Sequence, residues 1–500
     1  MTLIDFINAP RGLMVAAAGH GKTHTIAECV QLCPYGQCQL VLTHTHAGIA
    51  SIKAKLVELK VDAKKYHVET ISSFAQQFVL AYRKTDDLPE TGDKDYFPLV
   101  LSKAAKLFAN PHILDVIRLS YAGLFVDEYQ DCTAEQHKLI MQLGQVLPIH
   151  VLGDSLQGIF GFAGRLVDFE QDLPDFAKFD LLEKPWRWHK AGNCKALGDK
   201  ILEWRRTLLT DNKIIRLESC SEAHIEVIES QLEAQDNNQE YFSQLRDITL
   251  DKDCESLLIL FPMYHDELGK FKGKIDDRVR YKSRFDFENK FLLVEAIDAK
   301  EFYSNAKNID ELIQKISNPR IRLKEKKIYD FVEALTFKKS GGTGLDDWFD
   351  KNNGYRIKNK LGNNRAKAER IRLLIQAFTE HPCKRWVLEL LDFLQKEIGM
   401  KPKRREIVTS IQYCLRNYPD ETTSVYDSMK EMRNAVRRYG RKIQGRCIGT
   451  TLLTKGLEFD TVIVADAHRF AEPKNFYVAV SRACKNLIII TKETNLEFLG

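Results

Sequence analysis

The stretch Ala16-Ala-Ala-Gly-His-Gly-Lys-Thr23 follows an apolar segment at residues 12–17 and opens a helical pattern that reaches Leu32. Glycine at positions 19 and 21 lets backbone N–H groups face an anion, and the helix that begins there adds the positive end of its dipole. Lys22 would bring a positive charge to the β- and γ-phosphates, and the Thr23 hydroxyl would reach a bound Mg²⁺. The strand, loop and helix therefore predict a nucleoside triphosphate site formed by Gly19, Gly21, Lys22, Thr23 and His24.

A second motif, Phe125-Val-Asp-Glu-Tyr-Gln-Asp131, places carboxylates directly after an apolar run. Asp127 is predicted to hold Mg²⁺, directly or through water, and Glu128 to orient and deprotonate an attacking water. Two unrelated surface carboxylates are the alternative. That alternative does not explain why they follow Leu-Phe-Val, which reads as a buried strand.

The bulk composition describes a globular protein of several domains. The chain has 500 residues, of which 44% are hydrophobic and 29% charged, and this length suggests about two to four domains. We find no membrane-spanning run and no signal peptide, so we expect no membrane association and a cytoplasmic location. The 11 cysteines are scattered, and we interpret them as reduced thiols rather than as a disulfide framework.

Strand and helix patterns alternate in two separate parts of the chain. Apolar strand patterns occur at residues 39–43, 124–126 and 149–152, and a second group at 256–261, 461–465 and 486–490. Strands that alternate with helices indicate parallel sheets. The intervening residues 80–121 and 301–440 have helical patterns, so we predict two α/β domains, each with a helical insertion.

Positive charge is concentrated in the second insertion. Residues 319–372 contain 15 Lys/Arg against 7 Asp/Glu, and residues 430–446 add seven basic side chains against one acidic. Such clusters suit a polyanionic partner. Solvated helix faces are the alternative for any single cluster.

Six further motifs follow in an order that resembles the superfamily 1A helicases of the UvrD/Rep type. The segments that carry this resemblance are Thr43-His-Thr-His-Ala47, Thr70-Ile-Ser-Ser-Phe-Ala75, Gly153 through Gly164, Leu182-Glu-Lys-Pro-Trp-Arg187, Thr450 through Phe459, and Tyr477-Val-Ala-Val-Ser-Arg-Ala483.

The resemblance implies two RecA-like parallel-sheet domains. The first would comprise residues 1–79 and 122–184, with a small helical insertion at 80–121. The second would comprise residues 185–300 and 441–500, with a basic helical insertion at 301–440.

The resemblance also implies roles for residues around the nucleotide. Gln157 would sense the γ-phosphate, while Arg187 and Arg482 would converge on it from the second domain. Trp186 would stack on the adenine, although a buried anchoring role is equally open for it. Gly456 and Glu458 would complete the nucleotide site, with Glu458 on the ribose.

The implied DNA contacts are Thr43, Phe74, Phe160 and Phe162. Bases stack on aromatic faces with little regard to sequence, which suits the last two residues. Ordinary core packing is the alternative for this pair.

The chain departs from the family pattern mainly where DNA or the base is contacted. The family's adenine-reading glutamine motif is absent, and His44 and His46 stand where the family has other residues. The hydrolytic residues are all present. A small-molecule kinase would leave the later motifs unexplained.

The resemblance implies an ATP- and Mg²⁺-dependent translocase or helicase that moves 3′ to 5′ on single-stranded DNA or a 3′-tailed duplex. Its compact size also resembles helicases of Gabija-type anti-phage systems, which implies that its partner is a separate nuclease. The alternative function is a nucleic-acid-stimulated ATPase that acts as a sensor and regulates such an effector.

Overall fold

The computed structural model describes residues 2–82, 88–89, 95–159, 164–251, 254–266, 269–288, 290–294, 300–335, 344–402, 404–439 and 445–498.

Strands and helices alternate through the first part of the chain. The strands are β1 (Arg11–Val15), β2 (Gln39–Thr43), β3 (Tyr66–Thr70), β4 (Gly123–Val126), β5 (Ile149–Gly153) and β6 (Ala177–Phe179). The helices are α1 (Leu3–Asn8), α2 (Lys22–Leu32), α3 (His46–Glu58), α4 (Ile71–Tyr82), α5 (Tyr96–Leu107), α6 (Pro111–Ser120), α7 (Ala134–Leu143) and α8 (Phe169–Asp172).

These strands form one parallel sheet in the order β3-β2-β4-β5-β1-β6. Every residue of β2, β4 and β5 is buried because helices cover both faces of the sheet. Helices α5 and α6, in the expected first insertion, place Val100 and Ile117 in the same apolar cluster as Leu124 of β4. This insertion therefore extends the core of the first domain.

The next elements begin the second domain. They are α9 (Trp186–His189), α10 (Lys195–Leu208), β7 (Ile214–Arg216), β8 (Ile225–Glu229), α11 (Gln239–Asp251), β9 (Leu257–Leu260), β10 (Tyr264–His265), β11 (Phe271–Lys272), α12 (Ile275–Phe285) and β12 (Leu292–Leu293).

A mostly helical insertion follows, with its own apolar core. Its elements are α13 (Lys300–Ser317), α14 (Lys324–Ala334), α15 (Leu345–Trp348), β13 (Phe349–Asp350), β14 (Arg356–Ile357), α16 (Asn363–Glu380), α17 (Lys384–Lys396), α18 (Arg405–Asn417) and α19 (Val425–Tyr439). The Asp310 carboxylate accepts hydrogen bonds from the N–H groups of Val425 and Tyr426 at 2.8 and 3.0 Å, which caps α19. Helix α19 packs against α3 of the first domain.

The last elements complete the second sheet. They are β15 (Arg446–Gly449), α20 (Thr451–Thr454), β16 (Phe459–Val464), α21 (Pro473–Val480), β17 (Ala483–Thr491) and β18 (Asn495–Glu497). The sheet is parallel, with the order β12-β15-β9-β16-β17-β8. The predicted α/β class with two parallel-sheet, RecA-like domains is confirmed.

The structure differs from the sequence prediction at strand ends and sheet edges. Strand β1 ends at Val15, because Ala16 to Ala18 already belong to the loop that follows. Strands β3, β6, β8, β12 and β15 were not predicted from the pattern; the first four lie at sheet edges, and β15 lies between β12 and β9. Strands β3, β6 and β8 pair on one side only and keep polar residues, as in Ile225-Glu-Val-Ile-Glu229, so they lack the continuous apolar run of a central strand. This reason does not apply to β12, which lies in the apolar run Phe291-Leu-Leu-Val294.

Candidate functional site

The loop after β1 has the backbone geometry of an anion cradle. Gly19 and Gly21 have φ angles of 74° and 85°, in the left-handed region that favours glycine. A Cβ atom at Gly19 would lie 2.6 Å from the Cβ atom of Arg187, so the second domain approaches this glycine closely. Helix α2 begins at Lys22, and its first N–H groups point into the loop. The loop and the start of α2 together can therefore bind phosphate oxygens through backbone N–H groups.

Lys22 and Thr23 follow the loop as the motif requires. The Lys22 ammonium is buried and donates hydrogen bonds to the carbonyl oxygens of Ala16 and Ala17 at 2.8 and 3.1 Å. The Thr23 hydroxyl donates to Asp127 Oδ2 at 3.0 Å. Mg²⁺ prefers hydroxyl, carboxylate and phosphate oxygens, so these two neighbouring oxygens fit that ion.

The carboxylates at the end of β4 have different environments. Burial and the neighbouring Glu128 raise the pKa of Asp127 to about 7. Burial acts in the same direction on Glu128, but the charges of Lys455 and Lys22 outweigh it and hold the pKa of Glu128 below its ordinary value. Gln130 Nε2 donates a hydrogen bond to Glu128 Oε2. Glu128 is thus an ionised, oriented carboxylate, which is the form a general base needs.

Two buried arginines approach the loop from the second domain. The Arg187 side chain donates a hydrogen bond from Nε to Glu458 Oε1 at 3.0 Å. The backbone N–H of Arg187 donates to the Gly19 carbonyl oxygen, also at 3.0 Å. The Arg482 guanidinium donates to the carbonyl oxygens of Val478 and Leu457 at 2.9 and 3.1 Å. Burial and the nearby Arg187 lower the pKa of Arg482 to about 10, so it remains a cation at neutral pH.

A cavity of about 780 Å³ lies between the two domains and is large enough for a nucleotide. Its lining unites most of the residues singled out by the sequence, namely Gly19, Gly21, Lys22, Thr23, His24, Glu128, Gln157, Trp186, Arg187, Gly456, Glu458 and Arg482.

The Trp186 side chain lies beside the phosphate loop at the rim of this cavity. The residue is 53% exposed, and a Cβ atom at Gly21 would lie 3.3 Å from its Cδ1 atom. The alternative of a buried anchor is therefore wrong for Trp186. Trp188 has that role instead, since it is buried and its indole N–H donates to the Ala483 carbonyl oxygen at 2.8 Å. His24 lies near the opening, with Nε2 3.5 Å from Glu28 Oε1.

Contacts between the domains involve residues to which the sequence analysis gave no role. The Lys455 ammonium forms an ion pair with Asp131 Oδ1 at 2.6 Å and also donates to the Gln157 carbonyl oxygen. Arg205 Nη2 donates to Asp154 Oδ1 at 2.9 Å. The recognised motifs contain Asp131, Asp154 and Lys455, so their position in the sequence could have indicated a role for them. Arg205 lies outside the motifs, and nothing in the sequence indicated a role for it.

Two of the expected DNA contacts need correction. Thr43 is 1% exposed and Phe74 is 0% exposed. The Phe74 ring packs against Phe78 and Phe108 at centroid distances of 5.1 and 6.1 Å. Both residues are part of the packed first domain and present no surface to a base. Phe160 and Phe162 lie outside the described residues.

No described helix is both long and apolar enough to cross a membrane. Within the same residues, no cluster of His, Cys, Asp and Glu has the grouping of a metal centre formed by those side chains alone.

Part of the chain matches a family of known proteins. Residues 86–174 match the model of the UvrD/REP helicase N-terminal domain. The ATP-dependent DNA helicase PcrA of Bacillus subtilis is 29% identical over 148 residues, which is 28% of this chain and 19% of that protein. DNA helicase II of Escherichia coli is 28% identical over 131 residues, 26% of this chain and 18% of that protein.

A third relative is an ATP-dependent helicase/nuclease subunit from Lactococcus lactis, 26% identical over 137 residues, 27% of this chain and 10% of that protein. The matches thus span between a tenth and a fifth of these three relatives. A solved structure of a Pif1 helicase from Bacteroides with ADP-AlF3 and ssDNA has a TM-score of 0.25 and 12% identity, over 52% of this chain and 57% of that one.

The family match covers the segment that carries the second motif, Phe125 to Asp131. These findings show that part of the chain is similar to UvrD-like helicases.

Proposed function

We propose that this protein hydrolyses ATP and uses the hydrolysis to move 3′ to 5′ along single-stranded DNA, separating a duplex that follows a 3′ tail. The observation that carries the proposal is the composite cavity, in which the phosphate loop of one domain faces Arg187 and Arg482 of the other. A site divided in this way can bind a triphosphate fully only when the domains are together.

The chemistry follows from the positions of the charged groups. The oxygen of a water attacks the γ-phosphorus, Glu128 accepts its proton, and the bond to the β-phosphate oxygen breaks so that ADP leaves with the electron pair. Arg187 and Arg482 stabilise the charge that develops on the transferred group. Mg²⁺, held by Thr23 and Asp127 when bound, would neutralise phosphate charge. Lys22 would turn from its loop carbonyls to the phosphates.

Motion would result from opening and closing of this cavity. Because the arginines belong to the second domain, ATP favours the closed arrangement, and loss of the γ-phosphate removes part of that preference. The names of the relatives, two of which are DNA helicases, support DNA as the track. The 3′ to 5′ polarity and base stacking on Phe160 and Phe162 are proposed from the family resemblance alone.

A partner and a location belong to the same proposal. The Lactococcus lactis relative is named for both helicase and nuclease functions, which supports a separate nuclease as the partner of this chain. We place the activity in the cytoplasm.

The test combines ATP turnover with strand displacement. We expect ATP turnover to be stimulated by single-stranded DNA, and the displaced strand to appear from a 3′-tailed duplex but not from a 5′-tailed one. Glu128→Gln serves as the inactive control. Stimulated turnover without a displaced strand would replace the helicase with the nucleic-acid-stimulated sensor. Absence of turnover in wild type would remove both functions.

A further inference from the structure

The Arg205 side chain crosses the boundary between the two domains. Helix α10, which carries it, packs against β7, β17 and α21 of the second domain. Its guanidinium Nη2 donates to Oδ1 of Asp154, the residue that follows β5 of the first domain, at 2.9 Å. The Asp154 side chain is fully buried and the Arg205 side chain is 15% exposed, so the ion pair is shielded from solvent.

The second oxygen of Asp154 holds the side chain of Gln157. Asp154 Oδ2 accepts a hydrogen bond from Gln157 Nε2 at 3.0 Å. Burial acts to raise the pKa of Asp154, but the charges of Arg205 and Lys22 outweigh it and keep the pKa below its ordinary value. An ionised carboxylate only accepts hydrogen bonds, so it must meet the amide nitrogen and not the amide oxygen of Gln157. Arg205 thereby helps to set which way this amide points.

The same carboxylate is linked to the phosphate loop. The Tyr477 hydroxyl donates to Asp154 Oδ2 at 3.2 Å and accepts from the Ala18 N–H at 2.9 Å. Tyr477 lies on α21 of the second domain and is fully buried. Asp154 is therefore the point at which two side chains of the second domain meet one side chain of the nucleotide cavity.

We propose that Arg205 is a positioning residue for ATP hydrolysis, because its ion pair with Asp154 across the domain boundary orients Gln157 in the cavity. This inference rests on the function proposed above. When the domains separate, Asp154 loses its ion pair with Arg205, and its hold on the Gln157 amide weakens. The contact thus makes the geometry of the hydrolytic site depend on closure.

The experiment is a double-mutant cycle on the full chain. Arg205→Met removes the charge at similar side-chain size, and Arg205→Lys keeps it. Arg206→Met is the matched control, since Arg206 is exposed on the same helix. Each substitution is made in wild type and in Gln157→Ala, and kcat and KM for ATP are measured with and without single-stranded DNA. Arg205→Gln replaces Arg205→Met in the cycle if the latter does not give folded protein.

We expect Arg205→Met to lower kcat by about ten-fold or more with a change in KM below about three-fold, and Arg205→Lys to recover most of the rate. In the Gln157→Ala background the same substitution should have little further effect, because both act through one contact. Arg206→Met should match wild type in kcat.

Three results would overturn the inference while leaving the proposed function intact. They are an active Arg205→Met variant, a loss confined to KM, and an undiminished loss in the Gln157→Ala background. The last would mean that Arg205 acts on structure in general and not through Gln157. A wild-type protein without ATP turnover would instead remove the proposed function on which the inference depends.

Discussion

Glu128 has a φ angle of 54°, an unusual backbone conformation for a residue with a side chain. Such a conformation costs of order 1–3 kcal/mol and persists only where the surroundings impose it. Here the residue follows a fully buried strand, and its carboxylate is held by Gln130. The strain directs this carboxylate into the cavity that also contains Lys22 and Arg482.

The effects of the proposed general base, Glu128, and of the phosphate-loop lysine, Lys22, should be separable by substitution. We expect Glu128→Gln to lower ATP turnover by roughly 10²–10⁴-fold, since it removes the proton acceptor. Nucleotide binding should persist in Glu128→Gln and weaken in Lys22→Ala, which lacks the phosphate contact. Steady-state turnover and binding of a fluorescent ATP analogue measure the two effects. Retained turnover in a folded Glu128→Gln variant would remove Glu128 from the site.

Gly19 and Gly36 form a matched pair for testing the close approach of the domains. Both have positive φ angles, 74° and 86°, but a Cβ atom would meet Arg187 at 2.6 Å in the first case and nothing within 4 Å in the second. We expect Gly36→Ala to cost about 1–2 kcal/mol of stability from backbone strain alone. Gly19→Ala should add a steric clash and lose nucleotide affinity. Urea unfolding measures the stability of each variant, and binding of an ATP analogue measures its nucleotide affinity. Equal stability and equal affinity in the two variants would contradict the prediction.

At the scale of elements, the central strands of the two sheets end in a similar way. Strand β4 is followed by Asp127 and by Glu128 with φ 54°, and β16 is followed by Ala465 and by Asp466 with φ 48°. Of the first pair, Glu128 lines the cavity. Asp466 is instead buried within the second domain, where it accepts hydrogen bonds from the Tyr241 hydroxyl at 2.9 Å and the Ala234 N–H at 3.1 Å.

This buried carboxyl predicts a pH dependence of stability. Burial raises the pKa of Asp466 to about 7, whereas an aspartate in an unfolded chain titrates near 4. Between about pH 4 and pH 7 the unfolded chain releases this proton more readily than the folded chain, so the free energy of unfolding falls as pH rises, by up to about 1.4 kcal/mol per unit. Below that range the contribution is fully present.

Asp466→Asn should remove this dependence because an amide does not titrate. Urea unfolding midpoints of wild type and variant, measured across that pH range, should converge as pH rises. Other buried carboxyls, such as Asp131 with a pKa of about 7, titrate equally in both proteins. Two curves that stay parallel across the whole range would show that Asp466 does not titrate there.

At the scale of the whole molecule, the basic insertion connects the two domains. It is inserted in the second domain, while its helix α19 packs against α3 of the first. Helix α3 also contributes Ser51, Lys55 and Glu58 to the lining of the nucleotide cavity. The insertion is therefore in contact with a helix that lines the nucleotide cavity.

Exposed arginines of the insertion provide the test of a polyanion surface. Arg320, Arg322 and Arg356 are exposed. Replacing all three with glutamine should weaken binding of a tailed DNA duplex and reduce the slope of log affinity against log salt by about 0.7–0.9 per lost phosphate contact. Basal ATP turnover should not change. Fluorescence anisotropy at several salt concentrations measures the slope.

The matched control replaces Lys315 and Lys396, which already have carboxylate partners, Glu311 at 2.8 Å and Asp392 at 2.9 Å. These two lysines should contribute little to binding. An equal loss of affinity in both sets would indicate a general charge effect, and no loss in either set would favour the solvated-face interpretation of the cluster.

The sequence alone determined the class of the fold and identified most of the side chains that line the cavity between the domains. Apolar central strands, loop glycines and adjacent carboxylates are local features, and local features can be read from neighbouring residues. Edge strands such as β3 and β8 were missed because they lack a continuous apolar run. Phe74 was assigned to DNA because an aromatic side chain looks the same in a motif whether it is buried or exposed.

Only the tertiary structure decided how the two halves of the site meet. Arg205 lies 51 residues from Asp154, and Lys455 lies 324 residues from Asp131. No local pattern pairs residues at such separations, since the pairing depends on how the two domains pack against each other. Packing brings distant segments together and excludes water between them. This is also why Arg187 closely approaches Gly19, and why burial shifts the pKa values of the buried groups.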